Sequence, residues 1–226
     1  MRRRPSLLWR ILLGLLLLAL LFPTTSPLIS FGNTPTAPNA STTEASGHPM
    51  IFEDVEESDY FYDAVRWAVE HGITEGTSDT TFAPKDYCSR GQVITFLWKA
   101  MGSPEPQSSS HPFTDIPEDA YYTKAVLWAA EQNIASGTSE STFSPNAPCA
   151  RAQVMTFLWK LKGQPAATSS AGSFPDVTTA DYFYAPVMWA AKEKITTGLI
   201  DSRFGAMDQC NRAQVVTFLW HALGKQ

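Results

Sequence analysis

The chain contains three copies of one pattern, spaced 61 residues apart without a gap. The same aromatic, acidic, apolar and glycine positions recur in the same order in every copy. They are Phe52, Phe113 and Phe174; Asp54, Asp115 and Asp176; Tyr60, Tyr121 and Tyr182; Trp67, Trp128 and Trp189; Ile73, Ile134 and Ile195; Gly76, Gly137 and Gly198; and Phe82, Phe143 and Phe204. A period of this length is typical of one supersecondary unit that is used several times.

Each copy is predicted to form a helix, a loop and a second helix. In the first copy, residues 59–71 have helical periodicity, and the loop GTSDTTFAPKDYC is rich in Gly, Ser, Thr and Pro. The second helix, residues 90–101, is apolar on nearly all sides and is expected to stop at Gly102, and its equivalents at Gly163 and Gly224. One unit cannot bury such a helix alone. The sequence therefore predicts an all-α fold, mostly helix with irregular loops, in which three second helices pack about a pseudo-threefold axis.

The residue before each second helix predicts how well that helix is capped. Ser89 and Asn211 can accept a hydrogen bond from the first turn, and the glutamine three residues later can reach back. Ala150 occupies the same position in the second copy and cannot cap. We expect the second copy to have the least secure helix start.

The N-terminal 30 residues are interpreted as a signal peptide or an N-terminal membrane anchor. Basic residues in MRRRPSLLWR precede an apolar run at 11–22, which is shorter than the roughly 20 residues of a membrane-spanning helix. Residues 31–50 are rich in Pro, Thr, Ser and Ala and are predicted to be a disordered linker. Either interpretation of the leader places the repeats outside the cytoplasm. A cleaved leader makes the protein secreted, and an uncleaved one anchors it in the membrane.

Charge and composition exclude several classes of function. Beyond residue 30 there are 13 basic and 22 acidic residues, whereas a nucleic-acid binder normally has a basic excess. The four histidines do not recur at one repeat position, and no catalytic triad, paired carboxylates or phosphate-binding loop is visible. We therefore predict a protein that is not an enzyme and has no cofactor, no metal site and no nucleic-acid partner.

The repeated motifs resemble those of the S-layer homology (SLH) domain. The pattern F-x-D-V, Y-x-x-A-V-x-W-A, G-I-T-x-G, D-x-T-F-x-P and x-R-A-Q falls in the family's order three times, which gives repeats at 51–104, 112–165 and 173–226. The family motif Thr-Arg-Ala-Glu is here Ser-Arg-Gly-Gln, Ala-Arg-Ala-Gln and Asn-Arg-Ala-Gln. The resemblance implies a monomeric, three-pronged assembly with a central three-helix bundle. It also implies non-covalent attachment to a bacterial cell wall, through grooves between repeats that bind a secondary cell-wall polysaccharide, commonly pyruvylated, or another peptidoglycan-linked glycan. The alternatives are a membrane-to-wall tether through an uncleaved leader and a protein–protein interaction module at the cell surface.

Three arginines are the first candidates for glycan binding. Arg90, Arg151 and Arg212 each stand in the first turn of a second helix, where unpaired backbone N–H groups and a guanidinium together form a carboxylate site. A pyruvyl carboxylate would fit there. The alternative is a structural ion pair with the repeated aspartates at 54, 115 and 176.

Nine further residues are candidates, each with a structural alternative. Gln92, Gln153 and Gln214 could bind sugar hydroxyls or only cap helices. Trp67, Trp128 and Trp189 could stack on a sugar ring or belong to the core. Gly76, Gly137 and Gly198 could let a ligand approach the backbone or only permit a turn. Because the second copy lacks a cap and the third has an altered loop, with Arg203 and Ala206, we expect the three grooves to be unequal.

The three cysteines occupy one equivalent position, immediately before the helix cap. Cys88, Cys149 and Cys210 stand where an apolar residue is expected. Small buried hydrophobic residues are the favoured interpretation. A disulfide, intermolecular pairing and a three-thiolate site on the axis are the alternatives that the sequence leaves open.

Overall fold

Six α-helices carry the fold, two from each repeat. The structure, a computed structural model, describes residues 52–166 and 174–225. The helices are α1 (Tyr62–Glu70), α2 (Arg90–Ala100), α3 (Thr123–Glu131), α4 (Arg151–Leu161), α5 (Tyr184–Lys192) and α6 (Arg212–Leu219). Over the described ranges there are isolated β-bridges but no strands, so the predicted all-α class is confirmed.

Neighbouring repeats are joined by pairs of helices. Helix α2 packs on α3 and α4 packs on α5, so the second helix of one repeat contacts the first helix of the next. Helix α6 packs on α1 in the same way, which closes the three repeats into a ring. A second helix is therefore enclosed by protein, as its apolar sequence predicts: α2 buries seven of its eleven residues.

The cysteine positions mark the pseudo-threefold axis. The backbone N–H of Cys88 donates to the carbonyl of Cys210, that of Cys149 to Cys88, and that of Cys210 to Cys149, each at 2.9 Å. This closed ring of hydrogen bonds lies two residues before each second helix, so the three second helices start side by side around it. The predicted threefold arrangement of the repeats thus has a physical centre.

The three thiols at this ring are free and fully buried. Burial raises the pKa of Cys88 and of Cys210 to about 12 and raises that of Cys149 as well. The thiols are therefore protonated, small apolar groups, as the favoured interpretation holds, and the internal disulfide is excluded. In the described part of the chain, no cluster of His, Cys, Asp or Glu has the geometry of a metal site.

The first helices begin later than predicted. Helix α1 starts at Tyr62 and not at Asp59, because Asp59 belongs to the preceding turn. Its carboxylate accepts a hydrogen bond from Glu56 N at 2.9 Å, and its carbonyl accepts from Tyr62 N at 3.0 Å. A polar residue whose side chain bonds a neighbouring backbone group competes with helix formation.

The predicted glycine stops hold in two of three copies. Gly102 and Gly163 follow α2 and α4 with φ near +80°, a conformation that favours glycine. In the third copy a five-residue π-helix, Trp220–Gly224, continues α6 and includes the expected stop. A Cβ on Gly224 would lie 2.6 Å from Trp220 and 2.8 Å from Trp67. This glycine is thus required for close packing against α1.

The predicted difference in helix capping is also present. Ser89 Oγ accepts from Gln92 N at 3.2 Å, and Asn211 Oδ1 accepts from Gln214 N at 2.9 Å. At Ala150 only the other half of the box exists, in which Gln153 Oε1 accepts from Ala150 N at 3.1 Å. Ala150 nevertheless has the extended backbone of an N-cap, with φ −74° and ψ 152°.

Replacement of Ala150 by threonine should therefore raise the free energy of unfolding by about 1 kcal/mol. The hydroxyl can accept from the Gln153 N–H, which at present donates to the Ala150 carbonyl at 3.0 Å. Urea denaturation of the two proteins measures the difference. The matched variant Ser89→Ala should lose a similar amount. An unchanged or lower midpoint for Ala150→Thr would contradict the capping argument.

Residues His48–Gln226 form one compact unit. The buried core is drawn from all three repeats between Phe52 and Ala222, so this unit carries a core of its own. The predicted leader and linker lie outside the described residues. Among the helices that are described, none has the length and apolar character needed to cross a membrane.

Candidate functional site

Each repeat holds its loop in place with one aspartate. The carboxylate of Asp115 accepts hydrogen bonds from the N–H groups of Phe143 at 2.8 Å and Ser144 at 2.7 Å. Asp54 and Asp176 make the same two contacts in their own repeats, at 2.7–2.8 Å. Burial raises the pKa of Asp176, but the hydrogen bonds from backbone N–H groups together lower it by more. The pKa is therefore below its usual value. These carboxylates fix the loop.

The three arginines cross from one repeat to the next. Arg90 Nε donates to the carbonyl of Phe143 at 3.1 Å, Arg151 Nε to Phe204 at 2.9 Å, and Arg212 Nε to Phe82 at 2.8 Å. The phenylalanine that accepts this bond is the one whose N–H is held by the aspartate. The backbone of this phenylalanine is therefore held at its N–H by its own repeat and at its carbonyl by the preceding repeat in the ring.

Each guanidinium lies between two aromatic rings. The central carbon of Arg90 lies 4.8 Å from the ring centroid of Phe143 and 5.6 Å from that of Phe157. Arg151 and Arg212 have the same environment, at 5.1 and 5.2 Å and at 4.7 and 5.5 Å. Such contacts stabilise a desolvated cation by up to about 2 kcal/mol each.

The predicted alternative of an ion pair between these arginines and the repeated aspartates is wrong. The aspartates bind backbone N–H groups instead, and the salt bridges among the described residues do not include Arg90, Arg151 or Arg212. The three arginines are only 3–4% exposed. Burial lowers the pKa of all three, although nearby groups partly oppose the shift. Three buried cations without a carboxylate are costly unless an anion completes the site.

A groove opens beside each arginine, and every groove is built from all three repeats. The loop and second helix come from one repeat, the arginine from the preceding repeat, and an exposed tyrosine from the following repeat. Groove 1 contains Gly76, Gln92, Thr95, Phe96, Lys99, Tyr121 and Arg212. Groove 2 contains Gly137, Gln153, Thr156, Phe157, Lys160, Tyr182 and Arg90. Groove 3 contains Gly198, Gln214, Thr217, Phe218, His221, Tyr60 and Arg151.

The grooves have volumes of about 270, 220 and 390 Å³. Groove 3 lies within the roughly 300–1,000 Å³ of small-molecule sites, and grooves 1 and 2 are slightly smaller. Groove 2 has the cations Arg90 and Lys160 and groove 3 has Arg151 and Lys194, without an acidic residue in either lining. In groove 1, Glu75 opposes the two cations. The expected inequality of the grooves thus has a basis in their charges.

The candidate glutamines line the grooves and also cap the helices. Each Oε1 accepts from the backbone N–H three residues earlier, at 2.9–3.2 Å. Within the described ranges, no residue accepts a hydrogen bond from the Nε2 atoms. The same side chain can therefore cap with its oxygen and donate to a ligand with its nitrogen.

The candidate glycines line the grooves because the loop turns tightly there. Gly76 and Gly198 have φ of +87° and +82°. A Cβ on Gly76 would lie 2.6 Å from Thr81 O, and one on Gly137 would clash with the carbonyl oxygens of Ser139 and Thr142. Turn geometry alone requires these glycines, whether or not a ligand approaches.

The candidate tryptophans do not line the three grooves. Trp128 and Trp189 are only 6% and 5% exposed, and Trp67 packs against the core from α1. These tryptophans therefore pack in or against the core. They are not placed to contact a ligand in the three grooves.

Sequence reasoning did not select the groove tyrosines. Tyr60, Tyr121 and Tyr182 are 62–66% exposed, and each ring packs edge-on against the following aromatic residue, at 4.9–5.0 Å. Their recurrence at one repeat position was the available signal. Lys99 and Lys160, which recur after the second-helix tryptophan, were missed as well, and His221 replaces them in the third copy.

His221, which lines groove 3, is expected to make the stability of the fold depend on pH. Burial, followed by the nearby Lys225, lowers its pKa below the usual value of about 6.5, so that the imidazole is neutral at pH 7. The unfolded state then binds more protons than the folded state as the pH falls below about 7. The stability that neutral His221 provides is present above the unfolded pKa and is lost as the pH falls through the folded pKa.

We therefore expect the variant His221→Gln to lose less stability than the wild type between about pH 7 and pH 5. Urea midpoints measured across this range test the expectation, with His71→Gln as the control that leaves His221 in place. An identical pH dependence in the wild type and His221→Gln would show that His221 does not cause the loss.

Comparison with known proteins identifies the repeats. The sequence model of the S-layer homology domain matches residues 51–94, 112–155 and 173–216, more than half of the chain. An endoglucanase of Bacillus sp. (strain KSM-635) is 31% identical over 116 residues, 51% of this chain and 12% of that protein. A cell surface protein of Thermoanaerobacter kivui is 29% identical over 121 residues, 52% of this chain and 16% of that protein.

A surface-layer 125 kDa protein of Lysinibacillus sphaericus is 27% identical over 125 residues, which are 54% of this chain and 10% of that protein. The chain thus spans less than a fifth of the length of each of these relatives. The similarity therefore covers only a small part of each relative. The names of these relatives describe the whole proteins and are not names for this chain.

Proposed function

Because this chain belongs to the S-layer homology domain family, we propose that it anchors to the bacterial cell surface by binding a secondary cell-wall polysaccharide and catalyses no reaction. Three of the similar proteins are named as surface proteins: one is a surface-layer protein and two are cell surface proteins. One observation of the structure carries the proposal furthest: each groove contains a buried guanidinium that forms no salt bridge with a carboxylate of the described residues.

The ligand chemistry follows from that cation. An acidic sugar, such as one with a pyruvyl ketal, brings a carboxylate that can bind the guanidinium and offset the cost of its burial. Lys99 and Lys160 add a second cation in grooves 1 and 2. The glutamine Nε2 and the tyrosine hydroxyl supply donors for sugar hydroxyls, and the exposed tyrosine ring offers an apolar face.

Sedimentation with isolated cell-wall sacculi tests this function. Residues 48–226 should sediment with untreated sacculi and remain in solution after acid extraction has removed the secondary polysaccharide. Protease treatment of the sacculi should leave the binding unchanged. Binding that survives acid extraction but is lost after protease treatment would instead assign a protein partner.

We propose further that residues 1–30 export the repeats and that 31–50 tether them. The mass of the mature protein isolated from cells distinguishes the two forms of this proposal. A mass without the leader corresponds to a secreted, wall-bound protein. A full-length mass in the membrane fraction corresponds to a membrane-to-wall tether.

A further inference from the structure

One position near the end of the second helix differs in the third repeat. Lys99 and Lys160 stand at this position in repeats 1 and 2, and His221 replaces them in repeat 3. Each of the three residues lines the groove of its own repeat. A lysine stays charged between pH 5 and pH 8, whereas an imidazole changes its charge within that range. Groove 3 is thus the groove whose helix cation depends on pH.

The hydrogen bond of His221 fixes which ring nitrogen carries the proton of the neutral imidazole. Nδ1 lies 3.3 Å from the carbonyl oxygen of Ile195. Because a carbonyl can only accept, Nδ1–H donates this bond, and Nε2 has no hydrogen in the neutral ring. Among the described residues, none forms a hydrogen bond with Nε2. This atom is therefore the one that takes a second proton.

Cations predominate among the charged groups around His221. The charged and titratable side chains that line the two cavities beside it are Arg151, Lys194 and Tyr60 in groove 3, and Lys162, Glu193 and Lys225 in an adjoining pocket. Tyr60 is protonated near neutral pH, because burial raises its pKa. Four cations are thus opposed by one carboxylate. Burial, followed by Lys225, lowers the pKa of His221, although its backbone hydrogen bond partly opposes the shift.

An anion in groove 3 would reverse this balance. Its negative charge would lie beside Arg151 and His221, which line the same groove. A negative charge within about 4–6 Å favours the protonated form of an imidazole and raises its pKa. In the described part of the chain, no carboxylate lines groove 3 and does so in place of a ligand. The charge of His221 is therefore coupled to the charge of the ligand.

We propose that groove 3 binds its anionic ligand together with one proton, which His221 takes up from the solvent at Nε2 and releases when the ligand leaves. This inference rests on the proposed function and adds the regulation of one groove by pH. Grooves 1 and 2 hold their ligands with permanent cations, whereas attachment through groove 3 is stronger in acid. The third repeat thus makes part of the anchor respond to acidification of the cell surface.

The imidazole signals of His221 in nuclear magnetic resonance spectra test this coupling directly. Their change with pH gives the pKa of His221 in residues 48–226, alone and saturated with purified wall polysaccharide. The polysaccharide should raise this pKa by about 1 or more, which corresponds to at least about tenfold tighter binding by the protonated form. His71, at the end of α1, lines none of the three grooves and is the internal control, whose pKa should not change.

Calorimetric titrations at pH 7.5 and pH 5.5 give a second readout. The affinity of the wild type should rise as the pH falls, whereas His221→Lys, which has the lysine of the other two grooves, should lose this part of the rise. Circular dichroism at both pH values checks that each protein is folded. An unchanged pKa of His221 in the presence of bound polysaccharide, or an equal rise in affinity in His221→Lys, would overturn the inference and leave the anchoring function intact. Polysaccharide that binds at neither pH would refute both.

Discussion

Replacement of Phe143 by alanine is expected to lower the free energy of unfolding by about 3–5 kcal/mol. The Phe143 side chain is fully buried, and its ring contacts both Phe113 and the Arg90 guanidinium. The substitution removes a large apolar group from a site that α2 and the loop cannot close around. It also removes one of the two rings beside a buried cation.

Urea denaturation followed by circular dichroism measures this loss. Tyr121→Ala is the matched control, because that ring is 62% exposed, and its removal should cost less than about 1 kcal/mol. The backbone hydrogen bonds from Phe143 N to Asp115 and from Arg90 to Phe143 O remain possible in the alanine variant. If Phe143→Ala lowered the free energy of unfolding by less than about 1 kcal/mol, this loop would not hold repeats 1 and 2 together as described.

The second large effect concerns binding. Arg90→Gln is expected to weaken the affinity of groove 2 for an acidic glycan by about 10- to 100-fold, because a charge-assisted hydrogen bond to a carboxylate contributes about 1.5–3 kcal/mol. The substitution also leaves the carbonyl of Phe143 without its Nε donor, so some stability is lost. Titration with purified wall polysaccharide, carried out well below the unfolding midpoint of the variant, measures the affinity.

Arg66→Gln provides the control for charge alone. Arg66 is an exposed arginine on α1 that pairs with Asp63 and Glu70 at 3.5 and 3.8 Å. Its loss changes the net charge as Arg90→Gln does but leaves the grooves intact. Equal weakening in both variants would mean that the polysaccharide responds to overall charge and not to the groove.

The sequence predicted the parts of the fold that each repeat determines by itself. Helix α2 begins at Arg90 as predicted, because the capping residue and the apolar pattern that define it are local. The start of α1 was placed three residues too early, because helical periodicity does not reveal that Asp59 bonds the preceding turn.

The site was harder to predict because it depends on contacts between repeats. The sequence singled out Arg90 and Asp115, but the ion pair considered between them is absent: Arg90 binds the carbonyl of Phe143, and Asp115 binds its N–H. The amino-acid sequence does not show which backbone groups a side chain will bind. Tyr182 enters groove 2 from another repeat, so the spacing within one repeat could not place it there.

The most direct test of the binding account is the ¹⁵N nuclear magnetic resonance signal of the arginine Nε–H groups during titration with purified wall polysaccharide. Arg90, Arg151 and Arg212 have buried, hydrogen-bonded Nε–H groups, whereas Arg66 and Arg203 are exposed. The account predicts that signals of the buried arginines shift on binding, that those of Arg66 and Arg203 do not, and that removal of the acidic groups from the polysaccharide abolishes the shifts. Polysaccharide that binds without moving any of the three buried signals would contradict it.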